Sequence, residues 1–220
     1  MSISENINQL KSQLPEEVTL VAVSKTKPNE AILEAYGTGQ RIFGENKVQE
    51  LVQKYEDLPK DIEWHLIGHL QTNKVKYIAP FVKLIHAVDS MKLLKEINKQ
   101  ALKNNRVINC LLQVKIAEEE SKFGLNITDT EAIINSNKVK GLEGVNIVGL
   151  MGMATNSSNE NQVSAEFKTL NTFFQQLATQ NPQLTTLSMG MSGDFKLAIQ
   201  EGSTMIRVGS TIFGSRNYTK

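Results

Sequence analysis

Lys25 is the first residue whose type and position suggest covalent chemistry. It follows an apolar segment at residues 18–23, and in an extended chain alternate side chains point to opposite faces. Val21, Val23 and Lys25 therefore share one face. A lysine amine that is withdrawn from water loses charge more readily, and the neutral amine attacks carbonyl carbons. The alternative, equally open from position alone, is a lysine at the rim whose ammonium group reaches water.

Glycine- and serine-rich turns follow two later apolar segments. They contain Ser188, Gly190, Ser192, Gly209 and Ser210. Glycine lets a backbone approach an anion closely, and serine hydroxyls add hydrogen-bond donors. The pattern is typical of a phosphate site at a pair of neighbouring helix N-termini. The alternative is a pair of ordinary turns with helix caps.

Arg207 lies inside an apolar segment, residues 204–208. A buried guanidinium requires hydrogen-bond acceptors. Those acceptors belong either to a structural ion pair or to a ligand. An inward lysine, a phosphate-binding pair of turns and an arginine aimed at a ring nitrogen together describe a pyridoxal phosphate pocket.

The elements that must position these residues form a repeating pattern. Short apolar or β-branched segments occur at 18–23, 41–43, 63–67, 83–88, 107–114, 146–151, 184–188 and 204–208. Several are continuously apolar, which favours strands covered on both faces. Amphipathic segments separate them, the longest at 160–180.

Helix-start signals occur in the segments between the strands. Pro28 suits the start of a helix because its missing N–H is no loss there. Asp89 is in position to cap the following segment, and Thr128 with Glu131 has the spacing of a capping box.

Eight strand–helix units predict a compact (β/α)8 barrel with an extra N-terminal helix at residues 3–13. An open, doubly wound sheet is the alternative. In a barrel, functional groups lie at the carboxyl ends of the strands. This places Asn46 after strand 2 beside the residues already named, and places His65 and His69 near the end of strand 3. No carboxylate motif accompanies these histidines, so a metal site is the less favoured interpretation.

Composition narrows the class of protein. The 220 residues carry 24 Lys and Arg against 23 Asp and Glu, a formal charge of +1 that disfavours nucleic acid or an acidic membrane as partner. The single cysteine, Cys110, permits no internal disulfide. The N-terminus lacks secretory features, and no stretch approaches the roughly 20 apolar residues of a membrane span. We expect a cytoplasmic protein with one domain over residues 1–220.

The chain resembles the pyridoxal phosphate homeostasis proteins. The matching segments are residues 22–28, 43–46 with 49–50, 65–74, 121–124, 149–153, 187–192 and 206–209 with 212–214. The resemblance implies a barrel similar to the N-terminal domain of bacterial alanine racemase. It also implies that Lys25 forms an internal aldimine with the cofactor aldehyde.

Further site residues follow from similarity to the racemase. Ser192 and the backbone of Gly209 and Ser210 match phosphate contacts, and Arg207 matches the residue facing the pyridine nitrogen. The predicted cofactor-binding set is Lys25, Asn46, Ser188, Gly190, Ser192, Arg207, Gly209 and Ser210.

The function expected from the resemblance is to hold pyridoxal phosphate and to buffer or deliver it, with little or no catalysis. An arginine facing the ring nitrogen cannot readily accept its proton, so the ring should be a poor electron sink. The racemase's opposing tyrosine comes from a second domain that we expect to be missing here, and Tyr218 is the least implausible replacement.

We expect a monomer whose partners are pyridoxal phosphate and apo-enzymes that require it. The alternatives are a weak amino-acid racemase and a barrel enzyme acting on a sugar phosphate.

Overall fold

The computed structural model describes residues 2–119 and 123–214, and they contain eight parallel strands. The strands are β1 (Thr19–Val23), β2 (Ile42–Glu45), β3 (Glu63–Leu66), β4 (Leu84–Val88), β5 (Ile108–Gln113), β6 (Val145–Met151), β7 (Thr186–Ser188) and β8 (Met205–Val208). Each pairs with its neighbours in chain order, and β1 pairs with β8 through Val21 and Arg207. This closure confirms the predicted barrel and excludes the open sheet.

Helices surround the strands. They are α1 (Ile3–Lys11), α2 (Asn29–Gly37), α3 (Val48–Asp57), α4 (Val75–Ile78), α5 (Met91–Lys103), α6 (Ile127–Ile134), α7 (Asn137–Lys140), α8 (Glu160–Gln180), α9 (Phe195–Gln200) and α10 (Ser210–Phe213). The predicted extra N-terminal helix is confirmed as α1, although it ends two residues before position 13. The longest predicted helix is confirmed as α8.

Two predicted helix caps are wrong by a few residues. Ser90, not Asp89, caps α5, because its hydroxyl accepts the Leu93 N–H at 3.2 Å. Asn126 caps α6 through the Asp129 N–H at 2.7 Å, so the helix begins before Thr128. In both places the capping residue is the one whose backbone is still extended directly before the first helical residue.

The core has two layers separated by the strands. The outer layer lies between strands and helices and contains the large buried side chains Phe43, Trp64 and Phe167. A smaller inner cluster fills the barrel with Val21, Leu84, Ala87, Leu111, Met151 and Met205. Strand side chains are therefore buried on both faces, as the continuously apolar segments predict.

The described residues contain no helix that is both long and apolar enough to cross a membrane. Over the same residues, no group of three or more His, Cys, Asp or Glu side chains is arranged to hold a metal ion. Cys110 is fully buried in β5, and burial raises the pKa of its thiol.

Candidate functional site

A cavity of about 500 Å³ opens at the carboxyl ends of the strands. Several elements contribute to its wall, as the geometry of a barrel requires. From the predicted set, the lining includes Lys25, Asn46, Ser192, Arg207, Gly209 and Ser210. The remaining two, Ser188 and Gly190, are buried and lie outside the lining. The structure thus brings residues from both ends of the sequence to one place.

Lys25 reaches the cavity because of strand alternation in β1. Val21 belongs to the cluster inside the barrel, whereas Leu20 and Ala22 pack in the outer layer. Val23 and Lys25 both line the cavity, and Lys25 is half-buried. Its side chain therefore stands directly above the apolar interior of the barrel.

Arg207 is held from below by two acceptors. Its Nη1 donates to Ser188 Oγ at 2.6 Å, and its Nη2 donates to the Gly152 carbonyl at 3.0 Å. Burial lowers the pKa of Arg207 to about 10, and the negative charge of Asp194 acts in the opposite direction. The guanidinium therefore remains charged at neutral pH, and its plane is fixed at the floor of the cavity.

Two buried histidines continue this chain of contacts into the barrel. His86 Nδ1 lies 3.2 Å from Ser188 Oγ, and His86 Nε2 lies 3.0 Å from His65 Nδ1. Because Arg207 can only donate, the Ser188 hydroxyl accepts from it and has its own hydrogen available for His86 Nδ1. We assign the His86 hydrogen to Nε2, from which it is donated to His65.

Both histidines are neutral at pH 7. Burial lowers the pKa of His65 to about 3, with Lys83 contributing in the same direction. Burial also lowers the pKa of His86 well below its usual range, and the positive charge of Arg207, with that of His65 whenever His65 is protonated, acts in the same direction. A neutral pair is what a site beneath a permanent positive charge requires, because a further cation there would be repelled.

The turns after β7 and β8 meet at Ser192. Its Oγ accepts the N–H of Gly209 at 3.1 Å and the N–H of Thr211 at 3.4 Å. The serine keeps one hydrogen to donate into the cavity. Gly190 supports this arrangement from behind, since its carbonyl accepts the Arg207 N–H at 3.0 Å. Two backbone N–H groups of these turns are therefore directed at Ser192 Oγ, and the phosphate site stays a prediction.

Sequence reasoning missed several residues of this site. No local pattern marks His86, because it lies in the apolar strand β4. His69, which the sequence places near the end of strand 3, lines the cavity, with Nδ1 3.2 Å from Asp89 Oδ2 and its ring stacked on Phe123 at 5.1 Å. Both Phe123 and Gln113 also line the wall. The signal that could have found Gln113 is its place as the last residue of a strand.

Lys27 also lines the cavity; it is half-buried and donates from Nζ to the carbonyls of Phe213 and Gly214 at 2.9 and 3.2 Å. Tyr218 lies outside the described residues, as do the first two residues of the 121–124 segment.

Comparison with known proteins places the chain in a family. The family model described as "Alanine racemase, N-terminal domain" matches residues 1–217. The Pyridoxal phosphate homeostasis protein of Vibrio alginolyticus is 41% identical over 233 residues, covering 99% of both chains. That of Escherichia coli strain K12 is 39% identical, covering 94% of this chain and 89% of the relative.

This chain belongs to the pyridoxal phosphate homeostasis protein family.

Solved structures agree with the family at the level of the whole barrel. PipY of Synechococcus elongatus PCC7942 without PLP has a TM-score of 0.90 and 43% identity, covering 97% of this chain and all of that one. The same protein with PLP bound has a TM-score of 0.87 and 41% identity, with the same coverage. Alanine racemase from E. faecalis, at 16% identity and a TM-score of 0.74, shares the fold, and this chain covers 58% of it.

Proposed function

We propose that this member of the family binds pyridoxal 5′-phosphate reversibly and buffers or delivers it, with little catalysis. The observation that carries the proposal is the single cavity in which Lys25 and Arg207 meet the turns after β7 and β8. The names of the relatives and the PLP-bound structure of PipY support it.

The residues of the cavity fit this cofactor. Its volume of about 500 Å³ suits a small molecule. We assign the phosphate to Ser192, Gly209 and Ser210, which lie in the turns after β7 and β8 and line the cavity together. Asn46 completes the wall beside Lys25. Ser188 and Gly190 act from outside the lining, by holding Arg207 through its side chain and its backbone N–H.

Lys25 supplies the covalent contact in this proposal. The cofactor brings an aldehyde, which condenses with primary amines. Lys25 would hold the cofactor through Nζ, and the cofactor would supply reversible exchange between its carbonyl carbon and an amine. Water would be lost on binding, and water or another amine would take the place of Lys25 on release. Reversible storage needs no chemistry beyond this exchange.

Arg207 explains why catalysis is expected to be slight. Its guanidinium would face the pyridine nitrogen of a bound cofactor as a hydrogen-bond donor that cannot accept a proton. Ser188 and the Gly152 carbonyl hold the guanidinium in one orientation. The ring nitrogen therefore stays unprotonated, which weakens the carbanion chemistry that amino-acid conversion requires.

Borohydride reduction tests the role of Lys25. Reduction of the protein loaded with pyridoxal phosphate, followed by peptide mass analysis, should place the pyridoxyl group on Lys25. Lys25→Ala should lose the label while the neighbouring Lys27→Ala keeps it. Label on another lysine, or equal labelling of Lys25→Ala, would refute the assignment.

A weak amino-acid racemase is the second candidate function. The observation favouring it is His69, which lines the same cavity and pairs with Asp89. A second proton-transferring group opposite Lys25 is what such a reaction needs. Sensitive chiral assays of alanine and other amino acids separate the two functions. Turnover that disappears in both Lys25→Ala and His69→Ala would overturn the non-catalytic proposal.

We propose that the protein forms one domain, acts as a cytoplasmic monomer and passes the cofactor to apo-enzymes that need it. A mass near 24.5 kDa by light scattering is expected for the monomer. Faster reactivation of an apo-enzyme by the loaded protein than by the free cofactor that it releases would show direct transfer.

A further inference from the structure

Lys25 lies at the apex of a tight turn. The Lys27 N–H donates to the Ser24 carbonyl at 3.0 Å, so Lys25 and Thr26 are the two central residues of a β-turn. Thr26 has φ +64°, a left-handed conformation that is unfavourable for a β-branched residue. Such strain persists only where the surrounding contacts hold the backbone in place.

The contacts that hold this turn converge on Lys54 of α3. Lys54 Nζ donates to the Ser24 carbonyl at 2.8 Å, to Glu45 Oε1 at 2.8 Å and to Glu50 Oε1 at 2.7 Å. All three donor positions of the ammonium are therefore used.

Glu45 and Glu50 also accept hydrogen bonds from the turn, one on each side of Lys25. The Ser24 hydroxyl donates to Glu45 Oε1 at 2.6 Å, and the Thr26 N–H donates to Glu50 Oε1 at 2.5 Å. The residue before Lys25 and the residue after it are thus tied to the same three charged side chains. We call Glu45, Glu50 and Lys54 the charged triad.

Burial of the charged triad is difficult to explain by stability alone. The Glu45 side chain is fully buried and that of Lys54 is 6% exposed. Taking such charges out of water costs about as much as their attraction returns, and well-packed apolar residues are often as stable. One carboxylate oxygen, Glu45 Oε2, has no hydrogen-bond partner in the described structure. What the charged triad does provide is a set of directional hydrogen bonds to the turn that carries Lys25.

No member of the charged triad lines the cavity. Their hydrogen bonds reach the cavity through the backbone of the turn that carries Lys25. We propose that Glu45, Glu50 and Lys54 are positioning residues that fix the backbone on both sides of Lys25, and so aim its amine at the aldehyde carbon. This inference rests on the proposed function, because it assumes that Lys25 forms the bond. Precise placement of reacting groups matters because a misplacement of about 1 Å can cost a hundredfold in rate.

Glu50 offers the cleanest test, since its side chain is 23% exposed and its removal leaves the buried Glu45–Lys54 pair intact. Glu50→Ala removes the acceptor of the Thr26 N–H. Glu50→Gln keeps an oxygen at that position. Glu56→Ala, on the exposed side of the same helix, is the matched control.

Two measurements are made on each full-length variant. The first is the rate of covalent adduct formation with pyridoxal phosphate, followed by absorbance and by borohydride labelling of Lys25. The second is the affinity for pyridoxine 5′-phosphate, which carries the phosphate and ring and has no aldehyde. We expect Glu50→Ala to slow adduct formation by about tenfold. Glu50→Gln and Glu56→Ala should stay within about twofold of the parent rate, and all three variants should bind pyridoxine phosphate as the parent does.

A purely structural role predicts a different result. In that case Glu50→Ala would lose affinity for pyridoxine phosphate and thermal stability together, or would form the adduct at the parent rate, and either result overturns the proposal. A paired replacement, Glu45→Gln with Lys54→Met, removes the buried charges together and should slow the adduct in the same selective way. Absence of the Lys25 label in the parent protein would instead refute the proposed function, so the two failures are distinguishable.

Discussion

At the scale of single residues, Ser188 connects the arginine of the cavity floor to the histidines beneath it. Ser188→Ala removes the acceptor of Arg207 Nη1 and the partner of His86 Nδ1 together. We expect the free energy of unfolding to fall by about 1–3 kcal/mol, because buried polar groups lose their partners. Cofactor affinity should fall as well, since Arg207 keeps only one of its two anchors. Urea unfolding and cofactor titration measure the two effects.

Ser203→Ala is the control for this change. The Ser203 hydroxyl is also buried, and its single hydrogen has backbone carbonyl acceptors within reach, the nearest being that of Met189 at 2.8 Å; Ser203 does not line the cavity. This variant should lose comparable stability and keep the parent affinity for the cofactor. If both variants lose affinity equally, the connection from Ser188 to Arg207 has no bearing on binding.

At the scale of elements, the turn between β7 and α9 depends on Gly190. Its φ is +94°, and an added Cβ would lie 2.6 Å from Ala198 Cβ and 3.0 Å from Phe195 Cα. Gly190→Ala therefore combines an unfavourable backbone conformation with a steric clash. We expect a loss of about 1–3 kcal/mol in the free energy of unfolding, together with weaker phosphate binding as the turn shifts.

Gly193, a few residues along the same turn, provides the contrast. It lines the cavity, its φ is not positive, and an added Cβ would meet nothing within 4 Å. Gly193→Ala should leave the free energy of unfolding within about 0.5 kcal/mol of the parent value. Thermal melts of both variants check the difference, and equal melting temperatures would contradict the role assigned to Gly190.

At the scale of the whole molecule, the stability of the fold depends on pH through three buried groups. Glu45 acts in one direction, and His65 and His86 act in the other. Burial raises the pKa of Glu45 to about 7, although Lys54 and Ser24 act in the other direction, so Glu45 contributes its full charge to the charged triad only above that pH. From its usual value near 4.5 up to 7, the folded state binds a proton that the unfolded state does not, so stability falls as the pH rises. Burial lowers the pKa of His65 to about 3 and that of His86 well below its usual 6.5. Below pH 6.5 the unfolded state binds these protons, so stability falls as the pH falls.

The two effects can be separated by mutation. Between pH 5 and 6, each group changes the free energy of unfolding by about 1.4 kcal/mol per pH unit. The two histidines lower stability as the pH falls, whereas Glu45 lowers it as the pH rises. Relative to the parent, His86→Gln should make the loss of stability on acidification shallower, and Glu45→Gln should make it steeper. Urea unfolding at pH 5, 5.5 and 6 measures the slopes. Slopes that change in the same direction would show that one of the assigned protonation states is wrong.

Much of this fold can be predicted from local hydrophobic patterns in the sequence. Apolar β-branched segments alternating with amphipathic ones predict eight strand–helix units, because each strand must be covered on both faces. The inward face of Lys25 likewise follows from alternation along β1. Helix caps are less well determined by sequence, since Asp89 and Ser90 are both suitable and only the path of the backbone selects the serine. The resemblance to a family adds the cofactor and the cofactor-binding residues, which remain a prediction.

The sequence by itself predicted the eight strand–helix units, indicated the family and singled out Lys25 as the candidate for a covalent bond, a role that stays a prediction. Only the tertiary structure decided which distant groups support that residue. His86 lies in an apolar strand, and in the sequence Lys54 cannot be distinguished from any other polar residue of an amphipathic helix. Their neighbours, Ser188 and Ser24, are 102 and 30 residues away. Closing the barrel brings these groups together, and desolvation then determines their charge. The order of residues along the chain does not show which distant side chains will be in contact, nor which of them will be removed from water.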